Sequence, residues 1–528
     1  FWLKHIAALP SAWRMAGPAT YYSAPLQLIR IDEQGTCHLE PTAASILSQI
    51  KGKLAVVGIA GLYRTGKSFL LNRLLGFQEG FEIGPSVNPC TKGLWIWGQP
   101  VELAPDYHCV FMDTEGLGST HRTASCDMQI FSLCILLSSF FIYNSMGAID
   151  EMAIDDLHLV LNIAKHIHTR SLPGSREESA AELGSYFPAL LWVLRDFHLK
   201  LVDAKGKPIT ASDYLESSLR TAPGQERQNK LRQTIKDLFP DRDCATIVRP
   251  CADEADLRNV QRLPYESLRP QFQAQVEEFT RKVYRSLQPK RIDGADVSGT
   301  MLVHLAEEYC KAINKSAVPT IQATWTYVVQ SQLRKSTKDA VSVYRTYMND
   351  KVMVRLPMNE DQLRQFHKAA KAEALQVFMA PNVGEDHSSF REYRAEFSKR
   401  IKQLYEHCLQ ENAAVSQQQC QVYAEELWRN NIESKLNVKG SYKSVEQLMK
   451  DWEELQRTFI SRTQGPGQVD VLSGVLFQRM KESVQRVGDE RNVQRTARTP
   501  GKDNGARACS LSSLMTIFNG GGSQGSGD

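Results

Sequence analysis

The first half of the chain alternates short apolar runs with amphipathic stretches. Apolar runs occupy residues 54–59, 109–112, 137–143, 189–194 and 245–248, most of them bounded by polar or glycine positions. Short continuous runs rich in β-formers are how strands buried on both faces read. Helical patterns lie between them, for example over 153–168 and 226–238. Strand and helix in alternation predict a mostly parallel α/β sheet with helices on both faces.

Beyond residue 289 the strand-like runs end and a helical period takes over. Tyr393, Phe397, Ile401, Leu404 and Cys408 fall on one helix face, as do Val445, Leu448, Trp452, Leu455 and Phe459. Leu363, Phe366, Ala370, Ala374 and Val377 repeat the pattern. Such stripes read as core. Pro319, Pro357, Pro381, Gly440 and the turn at Gly465, Pro466 and Gly467 separate them. The spacing predicts helices of roughly 20 residues in an elongated all-α domain. After Gly488 the chain turns Arg-, Gly- and Ser-rich, a composition expected of a disordered tail over 488–528.

Composition narrows the class. The chain has 528 residues, 42% hydrophobic and 23% charged, ordinary for a soluble protein of two or three domains. A net charge of only +4 gives no case for a nucleic-acid partner. Eleven scattered cysteines without paired spacing favour free thiols and a cytoplasmic setting. The apolar stretch 130–143 holds fourteen residues, three of them serines, short of the about 20 that a spanning helix needs. It is expected to be a buried helix end running into a buried strand. Residues 1–14 do not resemble a secretory signal, and Met15 is a plausible start, so 1–14 is read as a non-native or disordered leader. The arginines of the tail are compatible with a weak contact on an anionic membrane.

The chemistry concentrates in Gly61-Leu62-Tyr63-Arg64-Thr65-Gly66-Lys67-Ser68, a GxxxxGK[ST] pattern between the strand at 54–59 and a helix at 69–75. The glycines allow backbone N–H groups to wrap phosphates at the positive end of the helix. Lys67 would place a cation on the outer phosphates, and Ser68 would offer a hydroxyl to Mg2+. Downstream, the strand 110–112 ends in Asp113-Thr114-Glu115-Gly116. An acid there can hold Mg2+ through water, and the glycine N–H can meet the γ-phosphate. Thr91, in the loop between, can complete the metal sphere. No NKxD sequence occurs. The strand at 189–194 ends instead in Arg195-Asp196, whose carboxylate can accept the guanine N1–H and N2–H; spacing alone equally fits a strand-end ion pair.

Taken together, Gly61–Ser68, Asp113 to Gly118 through Leu117, and Leu194-Arg195-Asp196 resemble the guanylate-binding proteins, interferon-inducible large GTPases of the dynamin superfamily. Leu136 to Ser139, Tyr143-Asn144-Ser145 and Arg249-Pro250 carry the resemblance further, over roughly residues 24–487. The resemblance implies a GTPase domain at 15–290, a helical middle domain at 291–487, GTP as substrate, Mg2+ as cofactor, and a homodimer through the GTPase domains. It also implies interferon-linked innate immunity. Arg64 matches the family's internal arginine finger, Thr91 and Glu115 match positions that organise the metal and the attacking water, and Arg195 with Asp196 matches the guanine-recognition pair.

Three departures stand against a simple transfer. Pro89 stands where the family usually has a serine that helps orient the catalytic water, so slow or differently organised hydrolysis is expected. Ser119 to Thr123 replaces an acidic, charged run. The family's long C-terminal helices have no counterpart in the segment after Gly488, hence the expectation of a shortened C-terminal region. A GTP-gated scaffold with little turnover is the alternative. Whether product stops at GDP or proceeds to GMP is not legible in the residues.

Overall fold

The computed structural model describes residues 22–83, 93–114, 116, 124–156, 184–315, 321–381, 383 and 387–498. The chain divides into two compact units, Phe1–Ser342 with Glu373–Lys399, and Val343–Ala372 with Arg400–Asp528.

In the first unit, β1 (Pro25–Ile31), β2 (Cys37–Leu39) and α1 (Pro41–Gln49) precede β3 (Lys53–Gly61) and α2 (Lys67–Leu74). Then come β4 (Leu94–Trp97), β5 (Val101–Ala104), β6 (Tyr107–Thr114), α3 (Ala124–Leu137), β7 (Phe140–Met146) and α4 (Glu151–Asp156). The segment closes with β8 (Ala189–Arg195), α5 (Ala211–Ser218), α6 (Glu226–Leu238), β9 (Arg242–Ile247), α7 (Glu254–Arg258) and α8 (Pro270–Ser286). Among the described residues these strands form one nine-stranded sheet in the order β2-β1-β4-β6-β3-β7-β8-β9, with β5 paired to β6. The pairs β3·β6, β3·β7, β7·β8 and β8·β9 are parallel; those of β1, β2, β4 and β5 are antiparallel.

The five runs expected as strands are β3, β6, β7, β8 and β9. The antiparallel margin was not in the sequence reading. The stretch 130–143 resolves as the end of α3 and the start of β7, with Leu137 closing the helix. After β3 the next parallel strand in sequence lies to one side and the following one to the other. The carboxyl end of β3 is thus a topological switch point, where open α/β sheets leave a crevice.

Both sheet faces are covered. Phe272, Val276, Phe279 and Val283 form one buried stripe of α8, and Phe272 stacks on Phe69 of α2 at 6.1 Å. On the other face Phe131 of α3 meets Phe141 edge-on at 5.5 Å, and Tyr143 meets Trp192 at 5.4 Å. Each aromatic buried in this way contributes roughly 1.5–3 kcal/mol. Among the described residues no helix is long and apolar enough to cross a membrane.

Two expectations about the region beyond 289 need correction. First, a hairpin stands there, β10 (Arg291–Ile292) against β11 (Ala295–Asp296). Its loop is Asp293-Gly294, both at positive φ, and Asp-Gly is the composition a two-residue loop of this kind demands. Second, the helices α9 (Gly299–Asn314), α10 (Ile321–Lys351), α11 (Glu360–Met379), α12 (Ser388–Trp428), α13 (Val445–Arg462) and α14 (Phe477–Arg498) do not share one length. Helix α12 runs 41 residues and α10 runs 31. Neither contains a proline or glycine, so nothing within them ends the helix.

Most of the expected stripe positions are buried: Phe397, Ile401 and Cys408 on α12, Leu448, Trp452, Leu455 and Phe459 on α13, and Leu363, Ala370 and Ala374 on α11; Tyr393, Leu404, Val445, Phe366 and Val377 are half-buried. In the second unit Trp428, Trp452, Phe459, Leu476 and Val487 share one core. That core explains a third difference. Helix α14 passes through Gly488 to Arg498, beyond the point where the tail was expected to begin, because Met480 and Val487 carry its apolar face to that point. The remainder of the expected tail and the leader lie outside the described residues.

Candidate nucleotide site

The loop between β3 and α2 closes over the switch point. Gly66 stands at the N-cap of α2 with φ 74, a left-handed conformation that a side chain disfavours. Arg64, although not glycine, takes φ 66, and Asp196 takes φ 53. Two expected site residues are thus held in a sparsely populated backbone region, a cost that recurs at functional sites.

The loop is braced from below by the neighbouring strands. Register places Gly61 opposite Asn144, and the fully buried Asn144 donates its amide to the Thr65 carbonyl at 3.0 Å. Arg195, at the end of β8, donates to the Gly66 carbonyl at 3.2 Å. Within the loop, Thr65 Oγ1 and Lys67 Nζ both donate to the Leu62 carbonyl, at 2.8 and 3.2 Å. Lys67 and Thr65 are each 6% exposed.

The second expected element sits beside the first. Parallel pairing sets Ile59 opposite Asp113, and Ser68 Oγ donates to Asp113 Oδ2 at 2.6 Å. Thr114 secures the strand end by donating Oγ1–H to the Ile59 carbonyl at 2.8 Å. Gly116 lies so close to the loop that a Cβ there would meet Tyr63 Cα at 2.4 Å, which only glycine accommodates. The exposed Arg64 guanidinium lies over the Tyr63 ring, 5.3 Å from its centre.

These groups line a cleft of about 260 Å³. Its floor is Tyr63 to Phe69 with Thr114 and Gly116, and Arg195 and Asp196 stand on its wall. Burial pushes the Arg195 guanidinium down to about 10, with Asp196 pulling the other way, so it stays protonated at neutral pH. Lys67, Arg64 and Arg195 therefore give the cleft a cationic side suited to phosphates, together with the N-terminus of α2. Asp196, beside Arg195, supplies a carboxylate acceptor on the wall.

Sequence reasoning did not find the apolar part of the wall. Pro250, Leu257 and Val260 line the cleft from the segment after β9, together with Met146 at the end of β7. An apolar lining beside a carboxylate suits a nucleobase. Nor did it assign Asn144 the task of holding the loop, or find Asn72, whose amide exchanges two hydrogen bonds with Phe81 and fixes the segment leading to Glu82 and Ile83 in the cleft. Thr91, Glu115 and Leu117, like Pro89 and residues 119–123, lie outside the described residues.

The oxygen-only donors Ser68 and Asp113, in direct contact, fit a hard dication such as Mg2+. Strand, glycine loop and helix at the switch point of a mostly parallel sheet define the P-loop class of fold.

Comparison with known proteins narrows this. Residues 34–291 match the family described as guanylate-binding protein, N-terminal domain, and residues 293–460 match guanylate-binding protein, C-terminal domain. The chain is 35% identical to guanylate-binding protein 7 of Mus musculus over 423 residues, 78% of this chain and 65% of that protein. It is 36% identical to guanylate-binding protein 2 of Homo sapiens over 392 residues, covering 73% and 64%. With guanylate-binding protein 6 of Homo sapiens it shares 33% over 431 residues, covering 79% and 67%. The chain belongs to the guanylate-binding protein family. It spans just under two thirds of the length of the first two relatives.

Proposed function

We propose that the protein binds GTP with Mg2+ and hydrolyses it, as a large GTPase that dimerises through its nucleotide domain. The observation that carries the reading is the meeting of Lys67, Ser68 and Asp196 in one cleft, with Asp113 hydrogen-bonded to Ser68. Phosphates would lie along the loop from Tyr63 to Ser68, with Lys67 on the outer ones. Asp196 would read guanine by accepting N1–H and N2–H, and Pro250, Leu257 and Val260 would keep water from the base. Ser68, Thr91 and Asp113, the last through water, would hold Mg2+. That ion, when bound, neutralises charge on the phosphates.

Arg64 is exposed at the rim, from where its guanidinium would swing towards the γ-phosphate when a second copy presses on the loop. Glu115 would orient the attacking water. In domain terms, residues 15–290 form the GTPase domain and 291–487 the helical domain that responds to nucleotide state. On this reading the protein acts in the cytoplasm in interferon-linked defence and releases GDP, and the chromatography below decides whether GMP follows.

Pro89 favours a second reading, a GTP-gated scaffold with little turnover, because it stands where relatives carry a serine. Turnover against protein concentration, with products resolved by chromatography, separates the two. A specific rate that rises with concentration and collapses in Arg64→Ala supports the dimer-activated enzyme. Tight GTP binding with negligible turnover at every concentration leaves only the scaffold.

A further inference from the structure

Two thiols separated by more than half of the chain meet at the edge of the sheet. Cys37 on β2 and Cys310 on α9 are 3% and 4% exposed, and the two thiols are close enough to act on each other's ionisation. The contact is braced one helical turn further on. The Asn314 amide accepts from the Cys37 N–H at 2.7 Å and donates to the Cys37 carbonyl at 2.8 Å. Both cysteines are free thiols in this structure. Strand pairing and a two-point side-chain clamp thus hold β2 and α9 in the register that sets one sulfur against the other.

We propose that Cys37 and Cys310 form a redox modification site, converted by a peroxide to a disulfide that ties the edge strand β2 to α9. The chemistry closes in two steps. One sulfur, as thiolate, attacks a peroxide oxygen; the O–O bond breaks, a sulfenic acid forms and hydroxide leaves, to be protonated to water. The second sulfur attacks the sulfenic sulfur, the S–O bond breaks and a second water leaves. For hydrogen peroxide the sum is two thiols and one peroxide to one disulfide and two waters, with two electrons passing from sulfur to oxygen.

Burial slows the first step. Contact with Cys37 and desolvation push the Cys310 thiol far up, so the closed form holds little thiolate. Access comes from the position of β2. It has three residues, ends the sheet and pairs along it only with β1, so opening it breaks few hydrogen bonds. Reclosure returns the oxidised sulfur to its partner at high effective concentration. The site is therefore slow but selective, and it does not depend on the nucleotide reading above.

The test uses the full chain. Protein is treated with hydrogen peroxide, remaining thiols are alkylated, and a non-reduced digest is read by mass spectrometry. The expected result is a peptide pair cross-linked through Cys37 and Cys310, abolished by dithiothreitol. The oxidised protein should also melt roughly 5 °C higher, because the bond constrains a very long loop of the unfolded chain. In Cys310→Val, and separately in Cys37→Ser, both the cross-link and the rise in melting temperature should vanish. Recovery of Cys37 and Cys310 as alkylated thiols once the more accessible Cys126 is oxidised would overturn the proposal. So would Cys37 bonded to another cysteine, or the same rise in Cys310→Val.

Discussion

The buried guanidinium of Arg195 reaches back across the sheet to the carbonyl of Gly66, 3.2 Å away, while its neighbour Asp196 faces the nucleotide cleft. The two residues of the Arg-Asp pair thus have different tasks. One holds the phosphate loop and the other stands where a base would lie.

The first prediction follows from that division. Arg195→Lys keeps the charge but loses the planar fork, and a shorter, more strongly hydrated head must replace it in a buried place. Losing one charge-assisted hydrogen bond costs about 1.5–3 kcal/mol, a weakening of roughly 10- to 100-fold. Calorimetric titration should show it equally for GDP and for a xanthine nucleotide, since the defect lies in the loop and not at the base. A defect confined to guanine nucleotides would refute the loop-holding role.

Asp196→Asn should do the reverse. Guanine presents an amine at C2 where xanthine presents a carbonyl, and an asparagine amide can donate to that carbonyl but cannot accept both guanine N–H groups. Preference should pass from guanosine to xanthosine triphosphate, by roughly 10- to 100-fold on the 1–3 kcal/mol scale of a mismatched polar group. Competition binding with the two nucleotides measures it, and an unchanged preference would remove Asp196 from base recognition.

Gly116→Ala tests the seam between the two phosphate elements. The added Cβ would lie 2.4 Å from Tyr63 Cα, so the backbone must move apart. Overpacking of this kind costs about 1–3 kcal/mol. Nucleotide affinity should fall about tenfold or more, with a melting temperature lower by a few degrees. Wild-type affinity would show that the seam relaxes freely.

What was legible in the chain was the part whose signal is local. The glycines, Lys67 and Ser68 are contiguous, and β3, β6, β7 and β8 are largely buried, so they read as apolar runs; the edge strand β9 reads so only over its last residues. The antiparallel margin was harder. In β1 the sequence Pro-Leu-Gln-Leu-Ile-Arg-Ile mixes polar and apolar positions without a continuous run, and β2 has only three residues. Leu94-Trp95-Ile96-Trp97 did carry a usable signal, four β-forming residues after a glycine. The cleft wall was out of reach for another reason. Pro250, Leu257 and Val260 look like loop and short-helix residues, and only the order of strands in the sheet brings them to one cleft with Met146. Asn144 likewise gains its role from register with Gly61, a non-local fact.

The last prediction concerns a buried amine that no acid among the described residues pairs with. Lys290, 4% exposed, donates Nζ–H to the carbonyl of Ser138 at 2.8 Å, and its backbone N–H donates to the Leu54 carbonyl. Burial pushes its pKa from an ordinary 10.5 down to about 7. Between those two values the unfolded chain holds a proton that the folded chain has shed, so stability rises with pH across the window. The stabilising effect is complete above pH 10.5 and is lost as pH falls through about 7. The slope from this one group cannot exceed about 1.4 kcal/mol per pH unit. Lys290→Met, which fills the same space without a charge, should therefore raise the denaturation midpoint most at pH 7 and least at pH 9. Urea unfolding of the wild type and the variant at pH 7, 8 and 9 measures the difference directly. Parallel curves for the two proteins would mean that Lys290 keeps its proton in the folded state and that the carbonyl of Ser138 is enough to hold it.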